Sequence, residues 1–213
     1  MNYEKKNFEH LLGMPGFSDD LLNIHLGLYE GYVKNVQKAS EAITKLAEGD
    51  KLDTPEFAEL KRRFGWEWNG MRLHEYYFSN LTTEAQKNSE GSTFGMQVKK
   101  DFGSFGNWEK DFRATGAMRG IGWVILYFDQ AAKKLFNVWI NEHDAGHFAG
   151  AAPILVMDAF EHAYMTDYGS KRADYIEAFM RAVDWEVVGN RYDAAMKYLE
   201  AKPKGIDHLG CRC

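Results

Sequence analysis

The 213-residue chain is 45% hydrophobic and 27% charged, an ordinary globular balance with apolar material for one large core or two small ones. Its net charge of −5 speaks against a general nucleic-acid binder, which presents a basic face of clustered Lys and Arg. The opening MNYEKKNFEH carries no long apolar run behind its charges, so neither a secretory signal nor a membrane span is expected, and the cytoplasm is the expected location.

Leu22, His25, Tyr29, Tyr32, Val36, Ala39, Ile43 and Leu46 recur at steps of three and four, which predicts one long amphipathic helix over 21–46. Asp19 and Asp20 sit where an N-cap and a first-turn acid are favourable, and Gly49-Asp50 end the pattern. A second seam runs through Phe64, Trp68, Met71, His74, Phe78 and Leu81, interrupted by Gly65 and Gly70. The two helices, joined through the polar stretch 51–55 with room for a short helix, should pack as a hairpin. The small polar tract NSEGSTFG at 88–95 marks a boundary between a helical hairpin domain over residues 1–90 and a second domain over 91–213.

Beyond the boundary a helical stretch from Thr93 to Ala117 precedes three runs rich in β-branched and aromatic residues, at 121–128, 134–140 and 153–158. The link 129–133 is short enough for a hairpin, so an antiparallel sheet is expected. Segments 172–182 and 185–200 return to helical periodicity, which makes the whole an α+β arrangement. The two cysteines, Cys211 and Cys213, fall in the last three residues, so no disulfide framework holds the domain, and the tail reads as frayed and functionally silent.

His25 and His74 each occupy a seam position among Leu, Tyr, Met and Phe. A single buried His is more commonly a hydrogen-bonded core residue than a ligand, but two on facing helices point into one interior, where a shared metal ion satisfies both. Asp158 and His162, four residues apart at the end of the most apolar strand, can reach the same ion. Three imidazoles and a carboxylate suit a first-row ion that cycles redox state, while zinc is compatible on ligand type alone.

The run Asp-Ala-Phe-Glu-His-Ala-Tyr at 158–164 resembles a signature of the iron and manganese superoxide dismutases. Further pieces fall in the same order: Asn69-Gly70 before His74, Asp101-Phe102-Gly103-Ser104-Phe105, Gly120-Ile121-Gly122-Trp123, Asp184-Trp185-Glu186 and Asn190-Arg191-Tyr192. The resemblance covers about Leu21 to Leu199. It implies a two-helix N-terminal domain on an α+β domain with a three-stranded antiparallel sheet. It also implies one iron or manganese ion per subunit held by His25, His74, Asp158, His162 and a solvent molecule, with superoxide as substrate and dioxygen and hydrogen peroxide as products. Tyr32 corresponds to a gateway tyrosine, Trp123 to an indole walling the site, and Arg172 to a basic residue near the substrate funnel, although a plain surface arginine is an equal reading. Glu161 is expected to reach the partner's ligand histidine in a homodimer, with a tetramer as a further possibility.

Where family members place a Gln four residues before the second ligand His, this chain has Gly70. His143, fifteen residues before Asp158, is therefore expected to contact the metal-bound solvent in the space that Gly70 leaves, with Glu142 and His147 as competitors, and His at this position leans the metal toward iron. Tyr32 follows His25 by seven residues where the family has eight, which implies a regular turn in place of a π-type bulge. Tyr29 and Met165 replace a His and a Tyr that meet across the family's interface, and Phe160 replaces a Trp. The rival readings are a nonhaem iron oxidoreductase with wider access, and a non-enzymatic scaffold on the same fold.

Overall fold

The computed structural model describes residues 3–84 and 90–200. The first two residues of the 88–95 tract, and Cys211 and Cys213, lie outside the described residues. Helix α1 spans Asp19–Glu48 and is a regular α-helix throughout. Ser18 rather than Asp19 is its N-cap: the hydroxyl accepts from the Leu21 N–H at 3.1 Å, and the two aspartates fall in the first turn, where carboxylates meet the positive end of the dipole. Helix α2, Pro55–Ser79, starts with Thr54 as cap and proline at the first position, and a turn rather than a short helix joins it to α1.

The buried line of α2 runs through Glu67, Gly70, Met71, His74, Tyr77 and Phe78. Trp68, expected in that seam, is 36% exposed and lies beside Arg72. At about 100° per residue, a position seven before His74 returns to its face, whereas one six before it does not.

The single helix expected over 93–117 is two, α3 (Thr93–Phe102) and α4 (Phe105–Gly116). Gly103 takes φ +83°, a left-handed conformation open to glycine, and Ser104 then caps α4 through the Asn107 N–H. Three strands follow, β1 (Trp123–Asp129), β2 (Lys134–Ile140) and β3 (Ala151–Asp158), in the order β2-β1-β3 with both pairings antiparallel. The central strand is buried over its first six residues, as its unbroken apolar run requires.

β1 opens at Trp123, not Ile121, because Gly122 has φ +149° and a Cβ there would lie 2.0 Å from the Ile140 carbonyl oxygen; Ile121 stays exposed. β3 begins two residues earlier than expected, and its Pro153, which has no N–H to give, sits on an edge strand where the register shifts at Leu126/Tyr127. After β3 come a 3₁₀ turn (Glu161–Ala163) and the short helix α5 (Met165–Tyr168), neither of them predicted, then α6 (Arg172–Arg181) and α7 (Trp185–Glu200).

Buried Asn80, at the end of α2, joins the hairpin to the sheet. Its carboxamide oxygen accepts from the Val156 N–H of β3 and from Arg191 of α7, both at 3.1 Å, while its nitrogen donates to the Tyr77 carbonyl at 2.8 Å. This brings the inward face of α2 against the end of β3. Among the described residues no helix is long and apolar enough to cross a membrane.

Candidate metal centre

His25 from α1, His74 from α2, Asp158 at the end of β3 and His162 in the 3₁₀ turn meet at one point, their donor atoms all within 4.8 Å of one another. The Nε2 atoms of His25 and His162 each lie 3.1 Å from Asp158 Oδ2, and that of His74 lies 3.7 Å from it. Two donors each about 2.1 Å from a common ion can stand up to about 4.2 Å apart, and these three separations fall within that span.

The surroundings settle which atom His74 and Asp158 present. His74 Nδ1 donates to the Gly70 carbonyl at 2.6 Å, which leaves a lone pair on Nε2, and that fully buried atom has no hydrogen-bond partner. An orphaned buried lone pair is costly, and a cation is what relieves it. Asp158 spends Oδ1 on the Phe160 N–H at 2.8 Å and its main-chain carbonyl on the Tyr175 hydroxyl at 2.6 Å, so Oδ2 is the oxygen turned to the three imidazoles.

Burial alone would raise the Asp158 carboxyl, but the charge and hydrogen bond of His162, with that of His25, outweigh it and hold the group well below the usual carboxylate range. Burial lowers His25 despite Asp158, and burial with the neighbouring His25 lowers His74 further. His162 is raised, because Asp158 overcomes its burial. A carboxylate with neutral imidazoles is the protonation state in which these residues ligate metal.

Around the cluster stands an aromatic wall. Tyr32 stacks on His74 at 5.1 Å between centroids, Trp123 meets His74 edge-on at 5.1 Å, and Phe160 stacks on His162 at 5.6 Å. His143 lies behind this wall. Its Nδ1 accepts from the Trp123 indole N–H at 3.0 Å, so its proton is on Nε2 and is given to the Tyr32 hydroxyl at 2.8 Å. Burial lowers its pKa to about 4, which keeps it neutral.

The space above Gly70 belongs to Tyr32 rather than to His143: a Cβ at position 70 would lie 2.5 Å from Tyr32 Cδ1. Glu142 and His147 turn elsewhere, Glu142 to the Trp66 indole at 3.2 Å and His147 to the His143 carbonyl and the Tyr127 hydroxyl.

Arg172 donates to the carbonyls of Met118 and Gly120 and to the Tyr164 hydroxyl, so its guanidinium pins the 118–120 turn to the start of α6. Tyr29 is buried within the chain, accepting from the Lys6 N–H at 2.9 Å and donating to Glu75 at 3.2 Å, while Met165 and Glu161 are exposed.

Two residues escaped the sequence reading. Trp66, one turn before Gly70, lies 5.4 Å from the Tyr32 ring and 4.7 Å from His143, with the Arg63 guanidinium 4.0 Å above it. Its spacing from Gly70 is the signal that placed it on this face. Tyr175, whose hydroxyl reaches the Asp158 carbonyl from seventeen residues away, carries no such signal.

The family described as iron/manganese superoxide dismutases, C-terminal domain, matches residues 89–191. Over 187 residues the chain is 32% identical to a protein named superoxide dismutase (Mn) 2 of Haloferax volcanii, spanning 87% of this chain and 92% of that one. It is 35% identical over 189 residues to a superoxide dismutase (Fe) of Cupriavidus metallidurans, spanning 86% and 92% of the two chains. A superoxide dismutase (Fe) of Saccharolobus solfataricus is 31% identical over 191 residues, 87% of each chain.

Proposed function

Since the chain belongs to the iron/manganese superoxide dismutase family and is a superoxide dismutase, we propose that its one iron or manganese ion is held by His25, His74, Asp158 and His162. The observation that carries this reading is the buried, unpartnered Nε2 of His74 facing two other imidazole nitrogens and a carboxylate. An ion held there would supply the redox change by which two superoxides and two protons become dioxygen and hydrogen peroxide.

The protein's own part is proton placement and exclusion. Trp123 gives its proton to His143, and His143 gives its own to the Tyr32 hydroxyl, so the hydrogen left to hand to a reacting group is that of Tyr32. Burial first, and then the charge of Asp158, raise that phenol, so it stays protonated at neutral pH. Trp123 and Phe160 wall the cluster, in which His25, His74 and Asp158 are buried, and this favours a small anion over an organic substrate. Arg172, bound to carbonyls at the chain's surface, contributes positive charge to the approach and order to the 118–120 turn.

His143 tunes the site through Tyr32 and leans the preference toward iron. The division into residues 1–90 and 91–213 belongs to the same proposal, with ligands drawn from both parts, and so do a cytoplasmic location and a homodimer in which Glu161 reaches the partner's ligand histidine. Exposed Ile24 and Leu28 on α1 and exposed Met165, four residues after Glu161, support such an interface.

Elemental analysis of protein from its natural source, joined to a superoxide assay on the same sample, tests the reading. About one equivalent of iron or manganese with activity proportional to it is expected. Activity independent of bound metal would refute it.

A further inference from the structure

His143 stands on a loop, residues 141–150, that forms neither helix nor strand between β2 and β3. A side chain that must meet both an indole and a phenol within hydrogen-bond reach needs its backbone held. Within this loop the His147 Nε2 donates to the His143 main-chain carbonyl at 2.6 Å, and the Tyr127 hydroxyl donates to His147 Nδ1 at 2.9 Å. Tyr127 is buried in β1, the central strand whose first residue is Trp123, the partner of His143.

One imidazole thus closes a ring that runs from the His143 backbone through His147 and Tyr127 along β1 to Trp123 and back to the His143 side chain. We infer that His147 is a positioning residue for the dismutation reaction, setting the height of His143 against Tyr32 and Trp123. This rests on the reading that His143 tunes the site.

The chemistry of the two bonds specifies the residue. Position 147 must donate toward a carbonyl and accept from a hydroxyl at once, which a neutral imidazole does and an aliphatic side chain does not. Burial lowers the pKa of His147, in keeping with an unprotonated Nδ1 that accepts from Tyr127. Losing the side chain leaves two polar groups without their partners and removes one of the loop's ties to the sheet. Next to it Phe148 packs on Tyr127 at 5.7 Å and on Phe136 at 5.2 Å while 45% exposed, an apolar anchor of the same loop that makes neither bond.

Metal-loaded wild type is compared with His147→Leu, His147→Gln, Phe148→Ala and His143→Ala, measuring metal content, turnover per metal, and hydrogen exchange of the 141–147 amides by mass spectrometry. His147→Leu should keep its metal, lose about tenfold in kcat and exchange faster, in line with the cost of removing outer partners of a metal site. His147→Gln, which can donate and accept, should restore most of both. Phe148→Ala should stay within about twofold of wild type.

The inference is overturned if His147→Leu turns over like wild type while His143→Ala does not, if Gln fails to restore what Leu loses, or if Phe148→Ala costs as much as His147→Leu. Should His143→Ala itself turn over like wild type, the reading of His143 fails instead, and exchange decides the positioning alone. Lost protection in His147→Leu then upholds it, and unchanged protection overturns it.

Discussion

Gly70→Ala puts the arrangement of the wall to a direct test. A Cβ at position 70 would lie 2.5 and 2.6 Å from Tyr32 Cδ1 and Cε1. Carbon atoms settle at about 3.5 to 4.0 Å, so the ring must retreat by about 1 Å. It has little freedom to do so, being stacked on His74 at 5.1 Å, set at 5.0 Å from His143 and held at 5.4 Å from Trp66. A retreat of that size stretches the 2.8 Å bond between Tyr32 and His143 beyond the usual hydrogen-bond range. Overpacking of this kind costs about 1 to 3 kcal/mol, and a misplacement of about 1 Å at a reacting group costs up to about a hundredfold in rate.

We therefore expect Gly70→Ala to bind its metal, lose tenfold or more in turnover per metal and melt a few degrees lower, of order 2 to 4 °C per kcal/mol for a chain of this size. Rapid-mixing measurement of superoxide decay, with metal analysis and calorimetry, reads all three. In a Tyr32→Ala background the same substitution should cost little further stability, since the clash has gone. Wild-type turnover and melting in Gly70→Ala would refute the placement of Tyr32 over the helix.

Alanine at His25, His74, Asp158 or His162 should abolish metal retention, and with it the gap in melting temperature between metal-loaded and metal-free protein, while circular dichroism shows the helices intact. His143→Ala should keep the metal and lose most turnover, whereas His143→Gln should keep more activity with a changed preference between iron and manganese, read by elemental analysis and turnover per metal. Sedimentation should show a homodimer that Glu161→Ala weakens; a stable, fully active wild-type monomer at assay concentration contradicts the interface.

Acid should destabilise the metal-free protein. His25, His74, His143 and His147 are lowered by burial, so the unfolded chain takes up protons near its ordinary pKa of 6.5 while the fold resists them. Their stabilisation is complete above about that pH and is lost progressively below it. His162, raised by Asp158, acts in the opposite sense and loses its contribution as the pH climbs, but it is one group against four. The melting temperature should thus be lower at pH 5 than at pH 7.5, and a flat or rising profile toward acid would contradict the burial assigned to these histidines.

Helix and strand identity were legible because a local period repeats many times: the seam of α1, the β-branched runs and the apolar stretch before Asp158 each name their element without help from the rest of the chain. The convergence of His25, His74, Asp158 and His162 was legible for a related reason, since the first two sit at seam positions, Asp158 at a strand end and His162 in the turn after it, all able to face one interior. Single residues misled where one position decides. Ser18 took the cap from Asp19, Gly103 broke an expected helix, and Trp68 left a seam it nearly fits.

What periodicity cannot carry is who donates to whom behind the metal centre. Tyr32, Gly70, Trp123, His143 and His147 come from two helices, a strand and a loop, and a hydrogen bond tolerates errors of only a few tenths of an ångström. Whether His143 faces the metal's solvent or gives its proton to Tyr32, and whether Gly70 makes room for an imidazole or for a phenol ring, is settled only when those segments pack, because each answer depends on side chains more than thirty residues away.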